Sequence, residues 1–155
     1  MFEKVLVPLD GSEHSDRALE IAIQIAKKFR AKMTLLHVYS VTVPAVIAPE
    51  PTTLTPAGVP VVTSAEVAKM VEAARIVGNR VLADGEQKAK TANVKVETVL
   101  REGNTVQEIV ALAKEGKFDL IIIGARGISR IRELLMGSVS DGVMKNAHCP
   151  VLVVK

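Results

Sequence analysis

The sequence predicts an α/β fold, an open five-stranded parallel sheet with helices on both faces. Three observations carry that expectation. Short apolar, β-branched runs alternate along the chain with longer segments of helical periodicity. The run Phe118 to Ile123 is so apolar that both of its faces need covering, as in a parallel sheet. The chain has 155 residues, 48% hydrophobic and 24% charged, which suits a single domain over 1–155 with a real core.

Each element has its own signals. Phe2 to Leu9 reads as a buried strand that delivers the chain to the turn-forming Asp10-Gly11-Ser12. Ser12 suits a helix cap, and Glu13 places an acid where the helix dipole favours it. Ala18, Ala22, Ile25 and Phe29 then recur at helical spacing, and Lys27, Lys28 and Arg30 load the last turn with positive charge. Met33 to Tyr39 is a second strand, and a crossover this short implies a right-handed parallel unit. Residues 40–62 hold five of the seven prolines, too many for a regular helix or central strand. This Pro-rich stretch is nevertheless apolar, so a long loop packed on its own domain, a ligand or a partner subunit is expected.

Ser64 resembles the cap of a long helix through about Thr91, with Val67, Met70, Val71, Ala74, Val77, Val81 and Leu82 as its apolar face. Val94 to Leu100 alternates as a third strand, and Arg101 to Asn104 turns the chain. Asn104 or Thr105 opens a short helix carrying Val106, Ile109, Val110 and Ala113. Phe118 to Ile123 is the fourth strand. A helix through about Asn146 follows, with Ile131, Leu134, Leu135, Val139 and Val143 inward, and Pro150 to Val154 is the fifth strand. Alternation of this kind is Rossmann-like, and such sheets bind ligands beyond the carboxyl ends of their strands.

Composition removes several function classes. Twenty basic and 17 acidic residues leave a net charge of +3, and 3% aromatics without tryptophan offer few stacking platforms, so no nucleic-acid partner is expected. A single cysteine, Cys149, excludes an internal disulfide framework and a Cys-rich zinc site. The first residues lack the pattern of a signal peptide, and no run of about 18 apolar residues occurs, so the expected place is the cytoplasm, with no membrane span.

The chemistry-bearing residues cluster after the fourth strand. Gly124 leaves the strand and bares backbone to a ligand, and Gly127 can take a positive φ and turn N–H groups into a nest. Gly137-Ser138-Val139-Ser140 offers backbone donors and two hydroxyls, suited to phosphate oxygens. Neither the Gly-x-Gly-x-x-Gly nor the Gly-Lys-Ser/Thr fingerprint occurs, which weakens dinucleotide hydride transfer and P-loop hydrolysis. Asp10 suits either ligand binding or capping of the first helix. His37, inside an apolar strand, reads as a core histidine. Arg126, Arg130 and Arg132 form either an anion-binding cluster or a solvated face. No cysteine, histidine and acid arrangement supports nucleophilic catalysis.

The spacing Gly124-x-x-Gly127, nine residues, then Gly137-Ser138 resembles the nucleotide signature of the ATP-binding branch of the universal stress protein family. The resemblance runs the length of the chain, through Val5 to Ser12, Leu35-Leu36-His37-Val38 and Cys149 to Val154. It implies a strand order of 3-2-1-4-5. It further implies that Asp10, with Pro8 and Leu9, faces the adenosine part of a nucleotide, and that the Val38 backbone meets the adenine edge. Ile123, Gly124 and Gly127 would flank base and ribose, while Gly137, Ser138, Val139 and Ser140 would hold the phosphates. Ala125 departs from the family, standing where a serine is frequent. The function expected is a stress-response module that binds ATP, or another adenine nucleotide, with Mg²⁺ held mainly through the phosphates. A slow ATPase or phosphotransferase in the same pocket is the alternative, disfavoured because no residue visibly orients an attacking nucleophile. The last strand, 151–154, is apolar on both faces and expected at a sheet edge, where pairing with its copy would form a homodimer.

Overall fold

The computed structural model describes residues 2–43, 46–48, 61–128 and 136–155. Its main sheet has five parallel strands: β1 (Lys4–Pro8), β2 (Lys32–Tyr39), β5 (Val96–Glu102), β6 (Leu120–Gly124) and β7 (Val151–Val154). Their order is β5-β2-β1-β6-β7. Counted within this sheet alone, that is the order 3-2-1-4-5. Two three-residue strands, β3 (Val46–Ala48) and β4 (Val61–Thr63), pair in parallel as a separate small sheet. The proline-rich stretch is thus not all loop, although neither strand contains a proline; its residues 44–45 and 49–60 lie outside the described ones.

The helices are α1 (Glu13–Phe29), α2 (Ser64–Thr91), α3 (Thr105–Glu115) and α4 (Ser138–Asn146). Among the described residues the last helix begins at Ser138, and the inward positions expected at Ile131, Leu134 and Leu135 lie outside them. Helix α1 is capped as its sequence suggests, with the Ser12 hydroxyl accepting from the Ser15 N–H. Helix α2 is capped one residue earlier than expected. Thr63 accepts from the Glu66 N–H, and Glu66 reaches back to the Thr63 N–H, which closes a capping box.

Two cores flank the sheet because side chains alternate along each strand. Val5, Val7, Met33, Leu35, Leu120 and Ile122 face α1 and α2. Leu6, Leu36, Ile121 and Ile123 face α3 and α4. The contact seam of α2 keeps Leu82 of the expected apolar face, with Val81 packed beside it, but otherwise runs through small residues. Gly78, Leu82, Gly85 and Ala89 are the buried residues, whereas Met70 and Val77 are exposed. A Cβ on Gly78 would stand 2.7 Å from both His37 and Leu100, and one on Gly85 would stand 2.7 Å from Leu9. Absence of side chains is what lets this helix lie close on β2 and β5.

Candidate functional site

The chain runs from β1 outward to β2 and β5, then crosses to β6 on the other side of β1. At that reversal a crevice opens beyond the carboxyl ends of β1 and β6, the usual ligand position in open α/β sheets. A pocket of about 290 Å³ occupies it. The eleven residues expected to contact a nucleotide all line this pocket: Pro8, Leu9, Asp10, Val38, Ile123, Gly124, Gly127, Gly137, Ser138, Val139 and Ser140.

Strand parity builds its apolar wall. Pro8 pairs with Leu36, and Leu36, Val38 and Ile123 all lie on the α3/α4 side, where Ile109 joins them. His37 necessarily points the other way, toward α2. Its Nδ1 lies 2.8 Å from the Leu9 carbonyl, and since a carbonyl only accepts, that nitrogen carries the proton. The half-buried histidine is therefore a hydrogen-bonded packing residue behind the pocket wall.

The polar end is assembled from loop and helix termini. One oxygen of Asp10 accepts the Ser12 N–H at 2.9 Å, so Asp10 both prepares the entry to α1 and lines the pocket. The Ser12 hydroxyl also reaches the Arg126 carbonyl at 3.3 Å, tying α1 to the segment after β6. At α4, Gly137 is the N-cap and supplies no side-chain cap. Its own N–H donates to the Ala125 carbonyl at 2.8 Å, and the Asp141 N–H donates to the Gly137 carbonyl at 3.0 Å. The N–H groups of Ser138, Val139 and Ser140 have no acceptor among the described residues, and the positive end of the helix lies at the pocket.

The glycines also serve a purpose that their spacing does not express. Gly127 does not adopt a positive φ; a Cβ there would stand 2.6 Å from the second Asp10 oxygen. On Gly124 a Cβ would meet the His14 backbone at 2.7 Å, and on Gly137 it would meet the Ala125 carbonyl oxygen at 3.1 Å. Each lets protein meet protein, closing the β6 end onto α1, Asp10 and α4.

Six further residues line the pocket: Ser15, Leu36, Thr105, Ile109, Arg126 and Ile128. Leu36 was within reach of the sequence, being two residues from Val38 in the same strand. Thr105 and Ile109 depend on where α3 docks, which local sequence does not express. Of the arginine cluster, Arg126 lines the pocket, whereas Arg130 and Arg132 lie outside the described residues.

The family model described as the universal stress protein family matches residues 1–155. The chain belongs to the universal stress protein family. A curated relative, universal stress protein YxiE of Bacillus subtilis, is 35% identical over 155 residues, covering 100% of both chains. Among solved structures, the universal stress protein UspA from Lactobacillus plantarum matches with a TM-score of 0.79 at 24% identity, covering 99% of this chain and 98% of that one. A universal stress protein solved in complex with cAMP matches with a TM-score of 0.68 at 30% identity, covering 99% of this chain and 97% of that one. Like its relatives, this universal stress protein chain is built on a parallel sheet with helices on both faces. No helix among its described residues is long and apolar enough to cross a membrane.

Proposed function

We propose that this chain binds an adenine nucleotide, ATP foremost, in the pocket between β1 and β6, and works as a nucleotide-dependent sensor or regulatory module. The observation that carries the reading is the α4 N-terminus: three N–H groups without acceptors among the described residues, in the same pocket as an apolar wall and an acid. Anions suit the first, a base the second, and sugar hydroxyls the third. The cAMP complex of a relative supports the adenine part. In this reading Pro8, Leu9, Val38 and Ile123 enclose the base, and Asp10, Gly124 and Gly127 border the ribose. Gly137, Ser138, Val139 and Ser140 form the phosphate cradle. Among the described residues no three His, Cys, Asp or Glu side chains gather as a metal site, so Mg²⁺ would be carried by the phosphates. Its contribution would be to neutralise their charge.

Binding without turnover is the favoured form. Among the described residues Asp10 is the one carboxylate lining the pocket, and one of its oxygens is committed to the Ser12 N–H. The test is direct. Denaturing the purified protein and chromatographing the supernatant should release an adenine nucleotide, and calorimetry on stripped protein should give saturable ATP binding. Failure of both overturns the reading. Phosphate release under saturating ATP and Mg²⁺ should stay well below the ordinary enzyme range of roughly 1–10³ s⁻¹.

A further inference from the structure

Two serines lie in the first turn of α4, and their surroundings differ. Ser138 is exposed, lines the pocket and makes no side-chain hydrogen bond among the described residues. Ser140 is 2% exposed. Its hydroxyl stands 2.9 Å from the Ala125 carbonyl oxygen and 2.9 Å from that of Gly137. A hydroxyl has one proton, so its donor capacity is committed inside the protein. The Ala125 carbonyl also receives the Gly137 N–H at 2.8 Å, and the Ala125 N–H is held by the Val154 carbonyl at 2.6 Å. Residue 125 is therefore fixed to the sheet on one side and gathers the start of α4 on the other.

We infer that Ser140 is a positioning residue that clamps the α4 N-terminus to the end of β6 through the Ala125 carbonyl, leaving Ser138 as the hydroxyl presented to ligand phosphate. The inference deepens the nucleotide reading and rests on it. Loss of the clamp leaves the Gly137 N–H on Ala125, so the fold survives, but the helix end is free to tilt. The apolar wall, built on β1, β2, α3 and Ile123 of β6, is held by strand pairing on both sides of β6 and does not depend on the clamp. The prediction is a loss confined to the phosphate end.

Calorimetry with adenosine and with ATP, on wild type, Ser138→Ala, Ser140→Ala and Ser140→Thr, reads this out. Ser140→Ala should weaken ATP about tenfold while adenosine changes less than twofold, and Ser140→Thr, which keeps the hydroxyl, should restore ATP binding. Residue-resolved amide exchange on the ligand-free proteins separates clamp from contact. In Ser140→Ala the Gly137 amide should exchange about tenfold faster than in wild type, and in Ser138→Ala it should be unchanged. An unchanged Gly137 amide in Ser140→Ala overturns the clamp, and equal losses of adenosine and ATP reduce Ser140 to a general packing role. Wild type that binds neither ligand overturns the nucleotide reading instead, while the exchange measurement still decides the clamp.

Discussion

At the scale of single residues, the glycines of the β6–α4 segment are visible in the sequence, but their reasons are not. Spacing alone suggests backbone bared to a ligand. In the fold, Gly127 makes room for the Asp10 carboxylate, at 2.6 Å from where a Cβ would stand. Replacing it by valine should push Asp10 aside and weaken ATP binding by roughly tenfold, about 1.4 kcal/mol, with the thermal midpoint little changed because residue 127 is exposed. Unaltered affinity by calorimetry would contradict the placement of Asp10 in the site. Of the pocket-lining residues, Asp10 and the glycine and serine positions were legible from turn chemistry after a strand, whereas Pro8, Leu9, Val38 and Ile123 were legible only through the family resemblance. Thr105 and Ile109 were not, since an ordinary helix start carries no mark of what it will face.

Among the elements, α2 departs most from its sequence. Hydrophobic period favours a seam through Met70, Val77 and Leu82; Leu82 does make the contact, but beside Gly78, Gly85 and Ala89, while Met70 and Val77 are exposed. Close approach to a flat sheet rewards small residues, a preference that amphipathic patterns do not register. Gly78→Val should therefore destabilise the protein by about 1–3 kcal/mol through overpacking on His37 and Leu100. Denaturant unfolding measures it, and an unchanged midpoint would refute the close packing. The start of α2 predicts a pH effect. The Thr63 backbone N–H, and then its hydroxyl, hold the Glu66 carboxyl below the usual carboxylate range. A lowered folded-state pKa stabilises above the unfolded value of about 4.3, and that stabilisation fades as pH falls through the folded value. The difference in thermal midpoint between wild type and Glu66→Ala should accordingly shrink from pH 7 to pH 3. An equal difference at both pH values would rule out the carboxylate form as the capping group.

On the scale of the whole molecule, β7 is the sheet edge beyond β6, and Leu152 on it is 38% exposed. An edge this apolar favours pairing with a second copy about a two-fold axis. Light scattering should give twice the 16.6 kDa chain mass, and Leu152→Asp should return one chain. A wild-type monomer at micromolar concentration would end that proposal. What the sequence by itself determined is the alternation of strands and helices, the parallel sheet they form and the expectation of a right-handed first crossover. Those follow from periods of two and 3.6 residues and from backbone chirality, all local properties. Tertiary structure alone decided that α3 closes the crevice, that the glycines fit protein against protein, and that Ser140 turns inward while Ser138 faces out. These depend on contacts between segments distant along the chain, where a few tenths of an ångström separate a fit from a clash.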